Sequence, residues 1–234
     1  MFDFLFALVV GIALPARAWV RHRRNAGPTW TAKYVGETVT LTGILVALLW
    51  RHGVLMAAIR RVDLTPLRFL RDVAICLAVV EGLDLYSVWR ASWQIKTAGP
   101  LPELEGLAQD ALAGGRNLGA FTTVCVVGAI WEELCFRGTV FLLVPHTPGG
   151  LVLGCAGGTV LFGAQHLRNG RSGVLYSSFY GLLFSVLYLS TGDLVAVAIA
   201  HAAGNLLAAA TWAPRIERMR RNALPPQASA AFLG

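Results

Sequence analysis

Residues 173–190 read GVLYSSFYGLLFSVLYLS, eighteen positions without one charged side chain. A helix needs about 20 largely apolar residues to cross about 30 Å of hydrocarbon, and this stretch meets that length. Two residues further on, 193–212 reads DLVAVAIAHAAGNLLAAATW, again apolar but with Asp193 at its start and His201 and Asn205 near its middle. Two such segments side by side indicate membrane-spanning helices. Helices are required because lipid offers no water to the backbone, and the alternating pattern of a barrel strand is absent.

Working outward, five more candidate spans precede these two. They cover residues 2–20, about 36–58, about 72–90, 118–144 and about 149–166. The third holds Glu81 and Asp84 near its middle, and the fourth holds Glu132, Glu133 and Arg137. Between them, 91–117 is polar, but Leu101, Leu104, Leu107, Ala108 and Leu112 repeat at helical spacing. That pattern predicts an amphipathic helix at the membrane surface. The predicted fold is all-α, a polytopic transmembrane bundle of about seven spans (six to eight) with an interfacial helix. Three regions follow: 1–117 with the N-terminal spans and amphipathic linker, 118–212 as a four-span core, and 213–234 as a basic tail. Gly150, Gly154 and Gly158 in one span, and Ala196, Ala200 and Gly204 in another, are spaced for close helix contact.

Composition agrees with the spans. Of 234 residues, 56% are hydrophobic and only 14% are charged, against roughly 25% charged in soluble domains. A chain this poor in charge is neither disordered nor a coiled coil. The net charge of +7 would suit nucleic acid in a polar protein. Here the basic residues flank apolar runs, as orienting residues of membrane spans do, so no nucleic-acid partner is expected. Met1-Phe2-Asp3 offers no basic lead to the first apolar run, which therefore reads as a span rather than a cleaved signal. The four cysteines lie in apolar segments and form no CxxC pair, so they read as small buried side chains.

Ionisable side chains in lipid are costly, by contested estimates from about 2.5 kcal/mol upward, so those present point to function. Three sets stand out. The first is Trp131-Glu132-Glu133-Leu134-Cys135-Phe136-Arg137. Glu133 and Arg137, four apart, can pair on one helix face, while Glu132 projects about 100° away and is left free. The second is Phe162-Gly163-Ala164-Gln165-His166, with His166 ending a span and Phe162 one turn back. The third is His201-Ala202-Ala203-Gly204-Asn205, with His201 and Asn205 on one face. Each alone has a bland account as an ion pair, an interface residue or a helix-to-helix hydrogen bond. Together they supply a base, two imidazoles and an amide, an inventory suited to activating water and attacking a carbonyl.

In order, these sets spell EExxxR, FxxxH and HxxxN. They resemble the motifs of the CPBP family of intramembrane metalloproteases, also called the CAAX-protease or ABI family and including the Rce1-like proteins. The likeness covers about 118–212. It implies a membrane endopeptidase in a multi-pass protein, in a bacterial inner or plasma membrane. The expected substrate is a membrane-associated peptide or lipidated protein, either CAAX-like or a leader or sorting tail. Carried over by motif, Glu132 is the base that activates water, Glu133 and Arg137 support it, His166 and His201 line the site, and Asn205 stabilises the oxyanion. The family is described as metallo-type, which makes Glu132, His166 and His201 candidate ligands for Zn2+ or another divalent ion. It is also read as glutamate-dependent without an obligatory metal, and the HExxH zincin signature is absent. Both readings stand at this point. So do two competing functions: a non-catalytic family member acting as immunity factor or scaffold, and a proton-coupled transporter using Glu81, Asp84, Glu132 and Glu133. Asp193 is expected to cap the last helix. Glu81 and Asp84 match no motif and are expected to be structural.

Overall fold

The computed structural model describes residues 32–51, 53, 65–98, 118–166, 170–212 and positions 214, 215, 218 and 222. Among them there are helices and turns and no strand. The elements are α1 (Ala32–Arg51), α2 (Pro66–Ala98), α3 (Leu118–Glu133), a π-helical segment (Leu134–Thr139), α4 (Val140–Leu143), α5 (Pro148–Gln165), α6 (Gly170–Thr191), α7 (Leu194–Leu207) and a second π segment (Ala208–Trp212). The span expected at 2–20, the surface helix expected within 99–117 and most of the tail lie outside the described residues.

From the third candidate onward each apolar stretch is helical, although α2 runs from Pro66 to Ala98, beyond both ends of the expected 72–90. The second differs. Its helix runs Ala32–Arg51, beyond which Gly53 takes a positive φ of 71° and its N–H bonds Trp50 O at 3.0 Å; residues 54–58 lie outside the described residues. An αL glycine just past the last turn is a common helix stop. The α6–α7 turn uses the same device. Gly192, at φ 71°, donates to Tyr188 O, and Asp193 then caps α7 by accepting from Val195 N and Ala196 N, both at 2.9 Å. Thr147 caps α5 by accepting from Gly150 N, with Pro148 in the first turn.

Among the described residues two helices are long and apolar enough to cross a membrane, Gly119–Thr139 and Gly173–Thr191. The distribution of side chains supports lipid around them. On α6, Leu175, Phe179, Leu182, Val186 and Leu189 form one exposed apolar stripe, while Ser177, Tyr180, Phe184, Ser185 and Tyr188 turn inward. Glu133 and Arg137 are fully buried, and Asp72, Asp84, Asp193 and His201 nearly so. Apolar surface outside with ionised groups inside is the reverse of a soluble domain.

Packing uses the small residues in the way their spacing predicts. α6 lies chiefly against α5, and α7 chiefly against α2 and α3. A Cβ on Gly158 would sit 3.1 Å from Phe136 O, and one on Gly154 would sit 2.9 Å from the Phe141 ring. A Cβ on Gly204 would meet Val80 Cγ1 at 3.0 Å. These glycines let α5 and α7 close over the π segment and α2. The core they enclose includes Phe136, Phe141, Phe162, Phe184, Val80 and Val197.

Candidate active site

The ionisable residues converge where α3 gives way to the π segment. Glu132 and Glu133 are the last α-helical positions, and Arg137 lies in the wider π turns. Such turns are rare and concentrate at functional sites. Thr139 reinforces this one by donating its hydroxyl to Leu134 O, five residues back, at 2.9 Å. Arg137 Nη1 donates to Glu133 Oε1 at 3.0 Å, and Nη2 donates to Gly181 O of α6 at 2.7 Å. The guanidinium also lies over the rings of Phe162 at 4.7 Å and Phe184 at 5.3 Å. A fully buried cation is thus held by one charge, one carbonyl and two aromatic faces.

His201 joins the two glutamates. Its Nδ1 lies 2.8 Å from Glu133 Oε1, and its Nε2 lies 3.4 Å from Glu132 Oε2. Glu133 is paired with Arg137 and so is an ionised acceptor. Nδ1 must then carry a proton, which turns Nε2 towards Glu132. The imidazole is stacked on Phe184, centroids 4.6 Å apart at 24°, and Phe162 stands 5.8 Å away. The two carboxylates differ sharply in access: the Glu133 side chain is 1% exposed and the Glu132 side chain 21%.

His166 caps the C-terminus of α5. Its Nδ1 bonds Phe162 O at 2.9 Å, and its ring lies 5.2 Å from that of Phe162. Phe162 therefore touches Arg137, His166 and His201 together. Asn205, one turn beyond His201, is exposed.

The structure brings Glu132, Glu133, Arg137 and His201 into one connected group, with His166 beside it across Phe162. The proposed ligand set of Glu132, His166 and His201 is not formed. Among the described residues no three His, Cys, Asp or Glu side chains converge as metal ligands. As positioned, these donors do not fit a divalent ion, so no step below is routed through one.

Sequence reasoning missed the Gly181 carbonyl and the Phe184 ring, since neither residue type signals chemistry by itself. It also left Asp84 without a partner. Asp84 accepts a hydrogen bond from Tyr180 of α6. The i, i+4 pair Tyr176 and Tyr180 in an apolar span was the available signal.

A helical bundle with exposed apolar faces and a buried Glu–His–Glu–Arg group points to an integral membrane protein with a polar centre inside its helices. Residues 115–207 match the model of the Rce1-like family, described as type II CAAX prenyl endopeptidase Rce1-like. No curated protein and no solved structure matches the chain.

Proposed function

We propose that the chain is a multi-pass intramembrane endopeptidase that hydrolyses a peptide bond of a membrane-associated substrate, with Glu132 activating the water. The observation carrying this reading is the asymmetry of the two glutamates. Glu133 is sealed, with Arg137 and His201 on one oxygen. Glu132 is partly open and has the Nε2 edge of His201 beside it. A base must reach water, and only Glu132 has that access.

In this mechanism Glu132 takes a proton from water as the oxygen attacks the scissile carbonyl carbon. The carbonyl π electrons move to oxygen, giving a tetrahedral oxyanion. Collapse breaks the C–N bond, and the proton held by Glu132 passes to the leaving amine, restoring the carboxylate. With its proton on Nδ1, His201 presents an accepting Nε2 to Glu132 and can take a hydrogen bond from that carboxyl once it holds the water's proton, while Glu133 and Arg137 hold the other edge of the ring. Asn205 and His166 are the donors proposed for the oxyanion. With Nδ1–H directed to Phe162 O, His166 can donate from Nε2 only as the imidazolium, whereas the Asn205 amide needs no added proton.

The substrate class proposed is a peptide anchored in the bilayer by a lipid or an apolar segment, whether CAAX-like or a leader or sorting tail. The test compares membrane proteomes from cells carrying wild-type or Glu132→Gln protein, reading new C-termini by mass spectrometry. Cleavage products present only with wild type support the reading. Identical product sets would instead favour a non-catalytic scaffold.

A further inference from the structure

α6 is clasped at two consecutive residues. The Tyr180 hydroxyl donates to Asp84 Oδ1 of α2, and the carbonyl of Gly181 accepts from Arg137 of the π segment. Tyr176, one turn earlier, places its oxygen 3.2 Å from that of Tyr180 and 3.4 Å from Asp84 Oδ1. Each phenol has one proton. The order that fits is Tyr176 O–H to the Tyr180 oxygen and Tyr180 O–H to the carboxylate, a chain whose members polarise one another.

One turn beyond Tyr180 lies Phe184, almost fully buried and stacked on His201, with the Tyr180 and Phe184 rings 6.0 Å apart. α6 packs chiefly on α5, and α7 chiefly on α2 and α3, so direct α6–α7 packing contributes little to where Phe184 meets His201. The hydrogen bonds that tie α6 to α2 and to the π segment are the clasps at 180 and 181. Asp84 also stands against α7, because a Cβ on Gly204 would come 3.5 Å from Asp84 Oδ2. One buried carboxylate thus touches the helix carrying Phe184 and the helix carrying His201.

We propose that Asp84 and Tyr180 are a positioning pair for the catalytic centre, an inference that rests on the endopeptidase reading. Glu133 fixes His201 at Nδ1 but leaves the imidazole free to tilt about that bond. The Phe184 face fixes the ring plane, and the two constraints together aim Nε2 at Glu132. The Asp84–Tyr180 hydrogen bond keeps Phe184 at that face and Gly181 O at Arg137. Misplacement of about 1 Å in such a group costs up to about 100-fold in rate.

The test uses the full chain in liposomes, a cleaved membrane peptide from the proteome comparison as reporter, and 15N-histidine spectra of the same samples. Tyr180→Phe keeps the ring and removes the donor. Asp84→Leu removes the acceptor, and Asp84→Asn keeps one. Tyr180→Phe and Asp84→Leu are expected to lower kcat about 10–100-fold with KM within about twofold, and to shift the His201 nitrogen signals. Asp84→Asn is expected to restore most of both. Wild-type kcat and an unchanged His201 spectrum in Tyr180→Phe overturn the proposal, even if its thermal stability falls. Asp84→Asn as impaired as Asp84→Leu overturns the hydrogen-bond role. Should the wild-type protein itself cleave no peptide, the endopeptidase reading fails, and the His201 spectra alone still decide the positioning claim.

Discussion

Glu133 Oε1 receives both Arg137 Nη1, at 3.0 Å, and His201 Nδ1, at 2.8 Å. One buried oxygen therefore fixes a cation four residues away and an imidazole 68 residues away. The arrangement divides the adjacent glutamates into a sealed partner and an accessible one, and the division can be measured.

Glu132→Gln should leave the protein folded and nearly inactive. The change keeps size and hydrogen bonding but removes the base, and loss of a general base typically costs about 10²–10⁴ in rate. Turnover of the reporter peptide within threefold of wild type would sink the assignment of Glu132.

Glu133→Gln should behave differently. It leaves Arg137, fully buried, without a countercharge, and unpairing a buried charge costs about 3–5 kcal/mol. Lower thermal stability in detergent should accompany its loss of activity. A Glu133→Gln protein as stable as wild type contradicts the pairing described here.

The glycine stripe of α5 should tolerate no side chain where it crosses the π segment. The Gly158 position has Phe136 O only 3.1 Å from an added Cβ, and a backbone carbonyl cannot rotate away as a side-chain tip can. Gly158→Val should destabilise by about 1–3 kcal/mol or more, as overpacking does. Gly157→Ala, whose added Cβ meets nothing within 4 Å, is the control and should unfold within about a degree of wild type.

Most of this architecture could be read from the chain before any coordinates. The helices at 72–90, 118–144, 149–166 and 173–190 were visible because lipid demands long apolar runs. The buried ionisable group was visible because Glu132, Glu133, Arg137 and His201 are costly to bury without purpose. The π segment was not visible, since a wider turn changes no residue type and leaves hydropathy intact. The role of Gly181 was hidden for a related reason: its carbonyl does the work, and every residue has one. The partner of Asp84 is hidden in the sequence because pairing across 96 residues depends on how α2 and α6 are packed.

Asn205 offers a narrower test. It is exposed, so removing its amide should leave stability within about 0.5 kcal/mol, the usual range for surface changes. If it donates to the oxyanion, Asn205→Ala should still lower kcat by about 10²–10³. A kcat within threefold of wild type assigns the oxyanion to another donor.

Metal dependence separates the two mechanisms that the motifs alone allow. A ligand role for His201 needs a free lone pair directed at the ion together with further ligands close by. Its Nδ1 is committed to Glu133, its Nε2 faces Glu132 at 3.4 Å, and His166 Nδ1 bonds Phe162 O. To assemble a Glu132, His166 and His201 set, the His166 ring would have to bring Nε2 towards His201 past Phe162, which stands against both imidazoles. Purified protein dialysed against a strong chelator should therefore keep its activity, and added Zn2+ should not raise it. His166→Ala should weaken turnover without altering metal content. Stoichiometric zinc in the wild-type protein, lost together with activity in His166→Ala and restored by neither Mg2+ nor Ca2+, would overturn the metal-free mechanism and require the site to rearrange around the ion.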